Sequence, residues 1–536
     1  MLNLIYTMYL PNFFKVFLLT AFQIIFLSNL IHAQSNCEND VIVQTVNGKL
    51  RGVIENNIYV WKGVRYAQPP IGNFRFKSPQ SLNNWEGVID ADKFGAVCPQ
   101  TRNIDSTVKT SEDCLFLNIW SPGISNCNRP VMVYIHGGAF YSVSGSLPIY
   151  NGSNLANKGD VVIVTINYRF GAFGFLYVDE THPDAKHFDN NIAIKDQVAA
   201  LKWVKENISA FGGNPNNITI FGQSAGATSV LALMSTPNAK DLFHKAIAQS
   251  PAFNQSWKKA EAMEVTKNYL ATLGVSYNQL LNLKTVPTDS ILKYSDLLMH
   301  KPTYSVAGIG TWAPTIDYDF LYPYLTDSIC SISNHCVPLL IGTMKNEMNL
   351  FLKVPLGTFD AKPKDVDKVF NCFNEDSYSK DVVLNSYRNY PKKKSVLSIC
   401  TDGVFTMPCI SVAENHSKLS QTYMYRFDWN SLALNLAGFK ACHALDIFFV
   451  FNNFDTKSGK KVSTLANKKK MHEISDKIQS SWINFAKTGN PNDCGIDIWK
   501  KYDSEQRATM VFGRKTKLRY DPNQHKRESW SCVISK

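Results

Sequence analysis

Residues 218–226 restrict the fold of this chain more than any other segment does. An apolar, β-branched run ends at Gly222, Ser224 follows two positions later, and Gly226 precedes a helix-forming segment. Small residues on both sides of a serine permit a tight turn from a strand into a helix, and such a turn exposes the serine oxygen at the end of the sheet. The pattern therefore predicts that Ser224 is a nucleophile and that the N–H of Ala225 points toward a developing oxyanion.

A second glycine-rich segment lies upstream. Residues 131–135 are apolar without alternation, which indicates a buried parallel strand, and they lead directly into residues 136–140 (HGGAF). Glycines let backbone N–H groups approach a substrate carbonyl that a side chain would block. We therefore expect this loop to supply the other oxyanion donors, each contributing about 3 kcal/mol to catalysis.

Through these motifs and several others the chain resembles the type-B carboxylesterase/cholinesterase family. The likeness extends from about Val41 to Tyr502 and includes residues 61–67 (WKGVRYA), 111–118 (SEDCLFLN), 136–140, 167–175 (NYRFGAFGF), 218–226 and 482–491 (WINFAKTGNP). It implies an α/β-hydrolase fold, a mostly parallel central sheet flanked by helices with a small N-terminal antiparallel sheet. It also implies that the N–H groups of Gly138, Ala139 and Ala225 bind the oxyanion, and that no metal or organic cofactor takes part.

The resemblance places the other two members of a catalytic triad after Ser224, in the chain order serine, acid, histidine. Residues 336–342 (CVPLLIG) predict the seventh strand of the fold, and Glu347 ends the short loop that follows it, where the family carries its glutamate. Residues 422–427 predict the eighth strand, and residues 441–451 resemble the family's histidine segment in its bacterial form. His443 is therefore the predicted general base.

Two alternatives remain open for the acid. Asn346 and Met348 stand where the family usually has aspartate and glycine, so Glu347 could instead be a solvated loop residue. Asp402 or Asp428 would then orient the histidine. The histidines that lack a triad position are predicted to be structural: His136, His182, His187, His244 and His416.

The choice of ester follows from charge near the serine. In the cholinesterases a tryptophan in the loop before the Glu-Asp-Cys block binds quaternary ammonium, whereas residues 98–114 here contain no aromatic side chain and include Arg102 and Lys109. A desolvated cation–π contact is worth about 2 kcal/mol, so its absence argues against choline esters. Gln223 is neutral where most of the family has glutamate. We expect an uncharged, hydrophobic small-molecule ester as substrate.

The N-terminus predicts export. A long apolar run over residues 16–31 is followed by His-Ala-Gln, which is typical of a signal peptide cut after Ala33. An uncleaved anchor is the alternative. The expected product is one α/β-hydrolase domain over residues 34–536, secreted or held in a secretory-vesicle lumen, with no later membrane span and an oligomeric state that the sequence leaves open.

Twelve cysteines fit an oxidising compartment. The candidate pairs are Cys98–Cys114, implied by the family likeness, together with Cys330–Cys336 and Cys494–Cys532. Cys442, beside the predicted base, is interpreted as a packed and inert thiol. Five sequons are glycosylation candidates where the backbone is exposed, with Asn217 the least favoured because it opens a core strand. The other four are Asn151, Asn207, Asn254 and Asn415.

The order of elements predicts strands separated by helices, and hence a mostly parallel sheet. An antiparallel piece is expected over residues 41–62, and further strands near Val131, Val161, Ile218, Lys245, Val337 and Thr422. Apolar residues at helical spacing from Ile194 to Ile208 predict a helix. Residues 256–301 and 366–395 are polar and irregular, and we expect them to wall a gorge. Arg75 with Glu112, and Arg169 with Asp196, resemble ion pairs of the family scaffold.

The formal charge of +12 includes lysine runs at residues 392–394 and 468–470. Such runs are usually solvated faces, and no nucleic-acid-binding module accompanies them. The competing functions are a non-catalytic adhesion or storage member of the family and a lipase or sterol esterase. The presence of all three triad positions favours an enzyme.

Overall fold

The apolar runs of the chain pair into one thirteen-stranded sheet. The computed structural model describes residues 41–101, 108–125, 128–252, 256–299, 310–323, 336–354, 358–373, 377–492 and 495–534. The predicted signal peptide lies outside these residues, as do Arg102, Asn254, Cys330 and Cys494.

The strands follow the predicted order, with additions. They are β1 (Val41–Gln44), β2 (Lys49–Glu55), β3 (Ile58–Arg65), β4 (Val88–Asp90), β5 (Phe116–Ser121), β6 (Arg129–Ile135), β7 (Val162–Ile166), β8 (Gly213–Gln223), β9 (Lys245–Gln249), β10 (Trp257–Lys258), β11 (Thr315–Ile316), β12 (Leu339–Met344), β13 (Thr422–Phe427), β14 (Ala508–Phe512) and β15 (Lys517–Tyr520). The sequence did not predict β4, β5, the short strands β10 and β11, or the hairpin of β14 and β15.

The centre of the sheet is parallel and its N-terminal side is antiparallel. The spatial order is β1-β2-β3-β5-β7-β6-β8-β9-β12-β13-β14-β15, with β4 beside β2, while β10 and β11 form a separate pair. In this spatial order every neighbouring pair from β7 to β14 is parallel, and every pair from β1 to β7 is antiparallel. The short strand β4 pairs with β2 in parallel. The predicted antiparallel piece therefore continues the main sheet, and the carboxyl ends of the parallel strands share one edge.

Helices cover both faces of the sheet. They are α1 (Ser153–Gly159), α2 (Ala172–Phe175), α3 (Ile192–Asn207), α4 (Ala225–Ser235), α5 (Lys259–Leu273), α6 (Thr288–Met299), α7 (Pro363–Asn371), α8 (Ser377–Asn385), α9 (Lys393–Thr401), α10 (Met407–Ser417), α11 (Leu432–Leu436), α12 (Ile447–Phe451), α13 (Lys457–Ser463), α14 (Lys468–Thr488) and α15 (Gln524–Ile534). The predicted helix is α3, and its apolar face is buried.

Alternate residues of the central strands enter two cores, one on each face. In β6, Val131, Val133 and Ile135 belong to one buried cluster, while Met132 and Tyr134 belong to the other. Successive side chains of a strand point to opposite faces, so a strand covered on both sides must be apolar throughout. This is why residues 131–135 show no alternation.

The two polar segments are largely helical where the structure describes them, and the expectation that they wall a gorge stays a prediction. The first contains α5 and α6, and the second includes most of α7, all of α8 and the start of α9. In α5 a few apolar positions, including Val265 and Tyr269, supply a buried face, and Glu261 caps the N-terminus by accepting the N–H of Lys258. A narrow apolar stripe with a good cap is enough for a helix that packs on one side.

Both predicted scaffold ion pairs form. Arg169 grips Asp196 with Nε–Oδ2 at 2.8 Å and Nη2–Oδ1 at 2.6 Å, and both side chains are buried. Arg75 binds Glu112 with Nε–Oε2 at 2.7 Å and also donates to the carbonyl of Val286, 2.7 Å away. The second pair thus ties the segment before α6 to the N-terminal part of the domain.

The predicted disulfides need correction. Cys98 and Cys114 are free, buried thiols whose side chains hydrogen-bond, and burial raises the pKa of Cys114 well above its usual value. A thiol held protonated is a poor nucleophile for disulfide exchange. Cys532 is also free and donates to the carbonyl of Ser529 at 3.2 Å, so the Cys494–Cys532 pairing is wrong. Cys336 is disulfide-bonded, and its pairing with Cys330 stays a prediction.

One glycosylation candidate is wrong. Asn207 is buried at 3% exposure, and its amide accepts the N–H of Val46 at 2.8 Å and donates to the carbonyl of Trp203 at 2.9 Å. A side chain enclosed in this way has no room for a glycan. Asn151, Asn217 and Asn415 are partly exposed, so their modification stays a prediction.

Among the residues that the structure describes, one helical run is long and apolar enough to pass the test for a membrane span, which the sequence did not predict. Lys393–Ser417 has a mean hydropathy of 1.6, and 83% of that window is buried inside the protein. Burial on all sides accounts for an apolar helix of this kind in a core.

Candidate active site

The turn that carries Ser224 is a strained elbow between β8 and α4. Ser224 has φ 58° and ψ −127°, and its N–H donates to the carbonyl of Gln249 at 2.9 Å. A Cβ at Gly226 would lie 2.0 Å from the carbonyl oxygen of Ile135, and one at Gly222 would lie 2.5 Å from the backbone of Gly226. Only glycine fits both flanking positions, and the serine is thereby raised at the edge of the sheet.

The glycine-rich turn after β6 lies directly against this elbow. A Cβ at Gly137 would come within 3.0 Å of the Cβ of Ser224, and one at Gly138 would come within 2.0 Å of a carbonyl oxygen of the same turn. Gly138 and Ala139 both have positive φ, at 95° and 56°. Of the described residues, none accepts a hydrogen bond from the backbone N–H of either. Together with the N–H of Ala225, the first residue of α4, these groups can receive a developing oxyanion.

Glu347 follows β12 and is fully buried. Its Oε1 accepts two hydrogen bonds, from the Ser250 hydroxyl at 2.7 Å and from the N–H of Met344 at 2.6 Å. Its Oε2 lies 2.6 Å from Nδ1 of His443. The geometry thus joins the predicted acid and the predicted base, which come from segments that follow adjacent strands of the sheet.

The two alternative acids are engaged elsewhere. Asp402 accepts hydrogen bonds from the Tyr387 hydroxyl at 2.7 Å and from Nζ of Lys526 at 2.6 Å. Asp428 forms a bidentate pair with Arg426 at 2.7 and 2.9 Å. The interpretation of Glu347 as a solvated loop residue is therefore wrong, despite its unusual neighbours.

His443 lies between two aromatic rings and beside the elbow. The centroids of Phe351 and Phe405 are 5.0 and 4.8 Å from the imidazole, and Phe405 belongs to a π-helical turn, Asp402–Thr406, between α9 and α10. The Nε2 atom of His443 lies 3.0 Å from Nε2 of Gln223. An amide nitrogen only donates, so Nε2 accepts, and the imidazole carries its proton on Nδ1, facing Glu347. The imidazole of His443, the predicted general base, therefore contacts the side chain of the residue that precedes Ser224.

Sequence reasoning missed a second buried carboxyl, Asp446. Its Oδ2 accepts hydrogen bonds from the Gln249 amide at 2.8 Å and the Tyr425 hydroxyl at 2.7 Å, while Oδ1 has no partner among the described residues. Burial raises its pKa to about 6, and the nearby Glu347 adds to the rise. The only signal in the sequence was an acidic residue three positions after the predicted base.

The five histidines predicted to be structural form no hydrogen bond with Glu347 in the part of the chain that the structure describes. Burial lowers the pKa of His136 to about 4, and the same cause lowers that of His416 to about 4. His136 stacks on Tyr168 with centroids 4.4 Å apart. The remaining three are placed by local contacts: His182 with the carbonyl of Tyr277, His244 with the N–H of Ile218, and His187 in a short 3₁₀ turn.

Cys442 precedes the base and is packed, as interpreted from the sequence. Burial, with a further contribution from Glu347, raises its pKa to about 12. The thiol therefore stays protonated at neutral pH and is a poor nucleophile.

Known proteins resemble this chain over nearly its whole length. The sequence profile described as the carboxylesterase family matches residues 39–530. A para-nitrobenzyl esterase of Bacillus subtilis is 38% identical, with 91% of this chain and 98% of that protein covered. A cholinesterase of Mus musculus is 31% identical, with 90% and 85% covered. The solved structure of a PNB esterase has a TM-score of 0.81 at 37% identity, over 91% of this chain and 99% of that one.

Proposed function

Because this chain belongs to the carboxylesterase family, we propose that it is a serine carboxylesterase that cleaves uncharged, hydrophobic esters through an acyl-Ser224 intermediate. Carboxylic ester hydrolysis itself comes with the family. The observation that carries the assignment of residues is the 2.6 Å contact between Glu347 and His443, buried beside the Ser224 elbow.

The proposed acylation begins with the Ser224 hydroxyl. His443 takes its proton at Nε2 as the oxygen attacks the ester carbonyl, and Glu347 holds the Nδ1–H tautomer and stabilises the imidazolium that forms. The carbonyl oxygen becomes an oxyanion held by the N–H groups of Gly138, Ala139 and Ala225. The imidazolium then returns its proton to the alkoxide, and the alcohol leaves.

Deacylation uses the same groups in the same order. A water molecule gives its proton to His443 and attacks the acyl carbon of Ser224, and the oxyanion again forms in the turn that contains Gly138 and Ala139. The serine oxygen takes the proton back as the acid departs. Phe351 and Phe405 pack against the imidazole, which limits solvent access to the base and strengthens its pairing with Glu347.

Charge at the elbow supports a neutral ester. Gln223, at 3% exposure, places an uncharged amide next to the nucleophile, so a cationic alcohol gains no attraction there. Residues 98–114 also lack the aromatic side chain that a quaternary ammonium would need. Acyl and alkyl groups without charge lose nothing by either feature.

Secretion is part of the proposal and is supported by the N-terminal sequence alone. The apolar run over residues 16–31 and Ala33 fit a cleaved signal peptide. Expression in a eukaryotic host should release a protein into the medium whose N-terminal residue is Gln34. Retention of the uncleaved chain in membranes would contradict export as a free protein.

A substrate panel tests the proposed reaction. Purified protein should hydrolyse short-chain p-nitrophenyl esters, prefer acetyl and butyryl esters of neutral alcohols over choline esters by at least about tenfold, and lose at least about 10⁴-fold of its activity in Ser224→Ala. Thermal unfolding should show the variant folded.

Two other outcomes would contradict the proposal. Absence of an acyl-enzyme burst in the folded wild-type protein would favour a storage role. Activity confined to long-chain esters at an interface would favour a lipase or sterol esterase.

A further inference from the structure

The atom that must accept the proton of Ser224 is already occupied. The Gln223 amide donates to Nε2 of His443 at 3.0 Å, while Nδ1 of the same ring donates to Glu347 at 2.6 Å. A neutral imidazole offers one lone pair, in the plane of the ring at the nitrogen without hydrogen. Gln223 and the Ser224 hydroxyl therefore compete for one acceptor.

The backbone of Gln223 is fixed, whereas its side chain is long enough to swing. The residue ends β8 and is in register with Gln249 of β9, whose carbonyl also accepts the N–H of Ser224. The amide oxygen faces the oxyanion turn, 3.3 Å from where a Cβ of Gly137 would lie. The side chain thus spans the space between the base and the place where an ester carbonyl must enter.

We propose that Gln223 is a positioning residue that caps His443 in the free enzyme and is displaced from Nε2 when an ester fills the oxyanion turn. The two contacts hold the ring in the correct tautomer, but its Nε2 cannot accept the proton of Ser224 until the amide moves. This inference rests on the proposed function. Part of the binding energy of the substrate is then used to break the hydrogen bond between Gln223 and His443.

The kinetic consequence is that the cap changes KM and leaves kcat unchanged. If only the uncapped fraction of free enzyme is competent, the apparent dissociation constant is raised by the inverse of that fraction. A neutral hydrogen bond of ordinary strength corresponds to a competition of about fivefold. Once the ester is bound the cap is already broken, so turnover does not depend on it.

Gln223→Met removes the donor and keeps the length of the side chain. We expect KM for a short p-nitrophenyl ester to fall about fivefold with kcat unchanged within twofold, and inactivation by a small organophosphonate to accelerate about fivefold. Gln197→Met is the matched control. It removes another buried amide, which donates to Ser229 at 3.0 Å, and should change neither constant.

A readout without catalysis separates this inference from the proposed function. In histidine-labelled Ser224→Ala protein, Gln223→Met should shift the ¹⁵N resonance of His443 Nε2, assigned by its loss in His443→Gln, and Gln197→Met should not shift it. If this shift is seen while folded protein that retains Ser224 hydrolyses none of the esters, the proposed function is refuted and the cap is kept.

Two results would overturn the cap. One is an unmoved Nε2 resonance in folded Gln223→Met, with or without esterase activity. The other is a loss of kcat in that variant, because it would mean that the amide holds the base productively. Gln223→Asn, whose shorter amide cannot reach Nε2, should repeat the Met result if the Met variant unfolds.

Discussion

Glu347 and Asp446 are two buried carboxyl groups near the same edge of the sheet, but their hydrogen-bond partners are arranged differently. Glu347 has both oxygens engaged, one by Ser250 and the N–H of Met344, the other by the His443 imidazole. Asp446 is equally buried, yet both of its donors bind one oxygen and the other has no partner in the described part of the chain.

The difference shows which surroundings allow a buried carboxyl group to remain charged. Burial alone disfavours the charged form, and hydrogen bonds with an opposite charge must offset it. At Glu347 the His443 imidazole lies 2.6 Å away and becomes positive in the proposed reaction. At Asp446 two neutral donors do not suffice, and its pKa stands raised to about 6. We therefore assign the chemistry to Glu347 and a structural cost to Asp446.

The strongest test of this comparison is to replace each carboxyl group in turn with a neutral amide. Glu347→Gln should lower kcat by about 10⁴-fold, because an amide cannot stabilise the imidazolium and can reverse the tautomer of His443. Asp446→Asn should lower kcat by less than about tenfold, since Asp446 accepts no hydrogen bond from the base. Steady-state kinetics on one p-nitrophenyl ester measures both. Equal losses would contradict the assignment.

The chain order and the local motifs predicted only part of the site that contains Glu347 and Asp446. The strained elbow, the glycine turn and the position of His443 each have a local signature, because steric limits at Gly222, Gly226 and Gly138 leave no other residue. The continuous apolar run of β6 likewise predicted the parallel centre of the sheet. These features depend on neighbours in sequence.

What the sequence did not predict depends on neighbours in space. Ser250 donates to Glu347 across 97 residues, and Gln223 reaches His443 across 220. Asn346 and Met348 weakened the motif around Glu347, but its two donors to Oε1 come from Ser250, directly after β9, and from Met344 at the end of β12. The free state of Cys98 and Cys114, and the enclosed amide of Asn207, are also set by packing that a motif cannot report.

The pH dependence of the free energy of unfolding tests the destabilisation that we assign to Asp446. Its pKa is raised to about 6 from a usual value of 3.8, so the native state holds the proton longer than the unfolded chain and loses stability as pH rises from about 4 to 6. Asp446→Asn removes the buried charge but leaves an amide nitrogen where Oδ1 has no partner. We expect it to stabilise the protein by about 2 kcal/mol at pH 7.5 and by nothing at pH 4.

Thermal unfolding of wild type and variant at both pH values makes this measurement. Because only the difference between the two proteins is used, the titration of His136 and His416 cancels. Asp428→Asn is the matched control, since it breaks the bidentate pair with Arg426 and should lower the melting temperature at pH 7.5. A variant at Asp446 that is less stable than wild type at pH 7.5 would contradict the comparison.

The smallest change makes Glu347 more like Asp446 by taking away one donor. Ser250→Ala leaves Oε1 of Glu347 with the N–H of Met344 alone, so the carboxylate is stabilised less and the imidazole is held less firmly. We expect kcat to fall about tenfold, equivalent to about 1.4 kcal/mol, with KM nearly unchanged. Ser481→Ala is the control, because its buried hydroxyl has no partner among the described residues and its loss should cost neither activity nor stability. If Ser250→Ala keeps full kcat, the hydroxyl is not what separates the two carboxyl groups, and the His443 imidazole alone accounts for the difference.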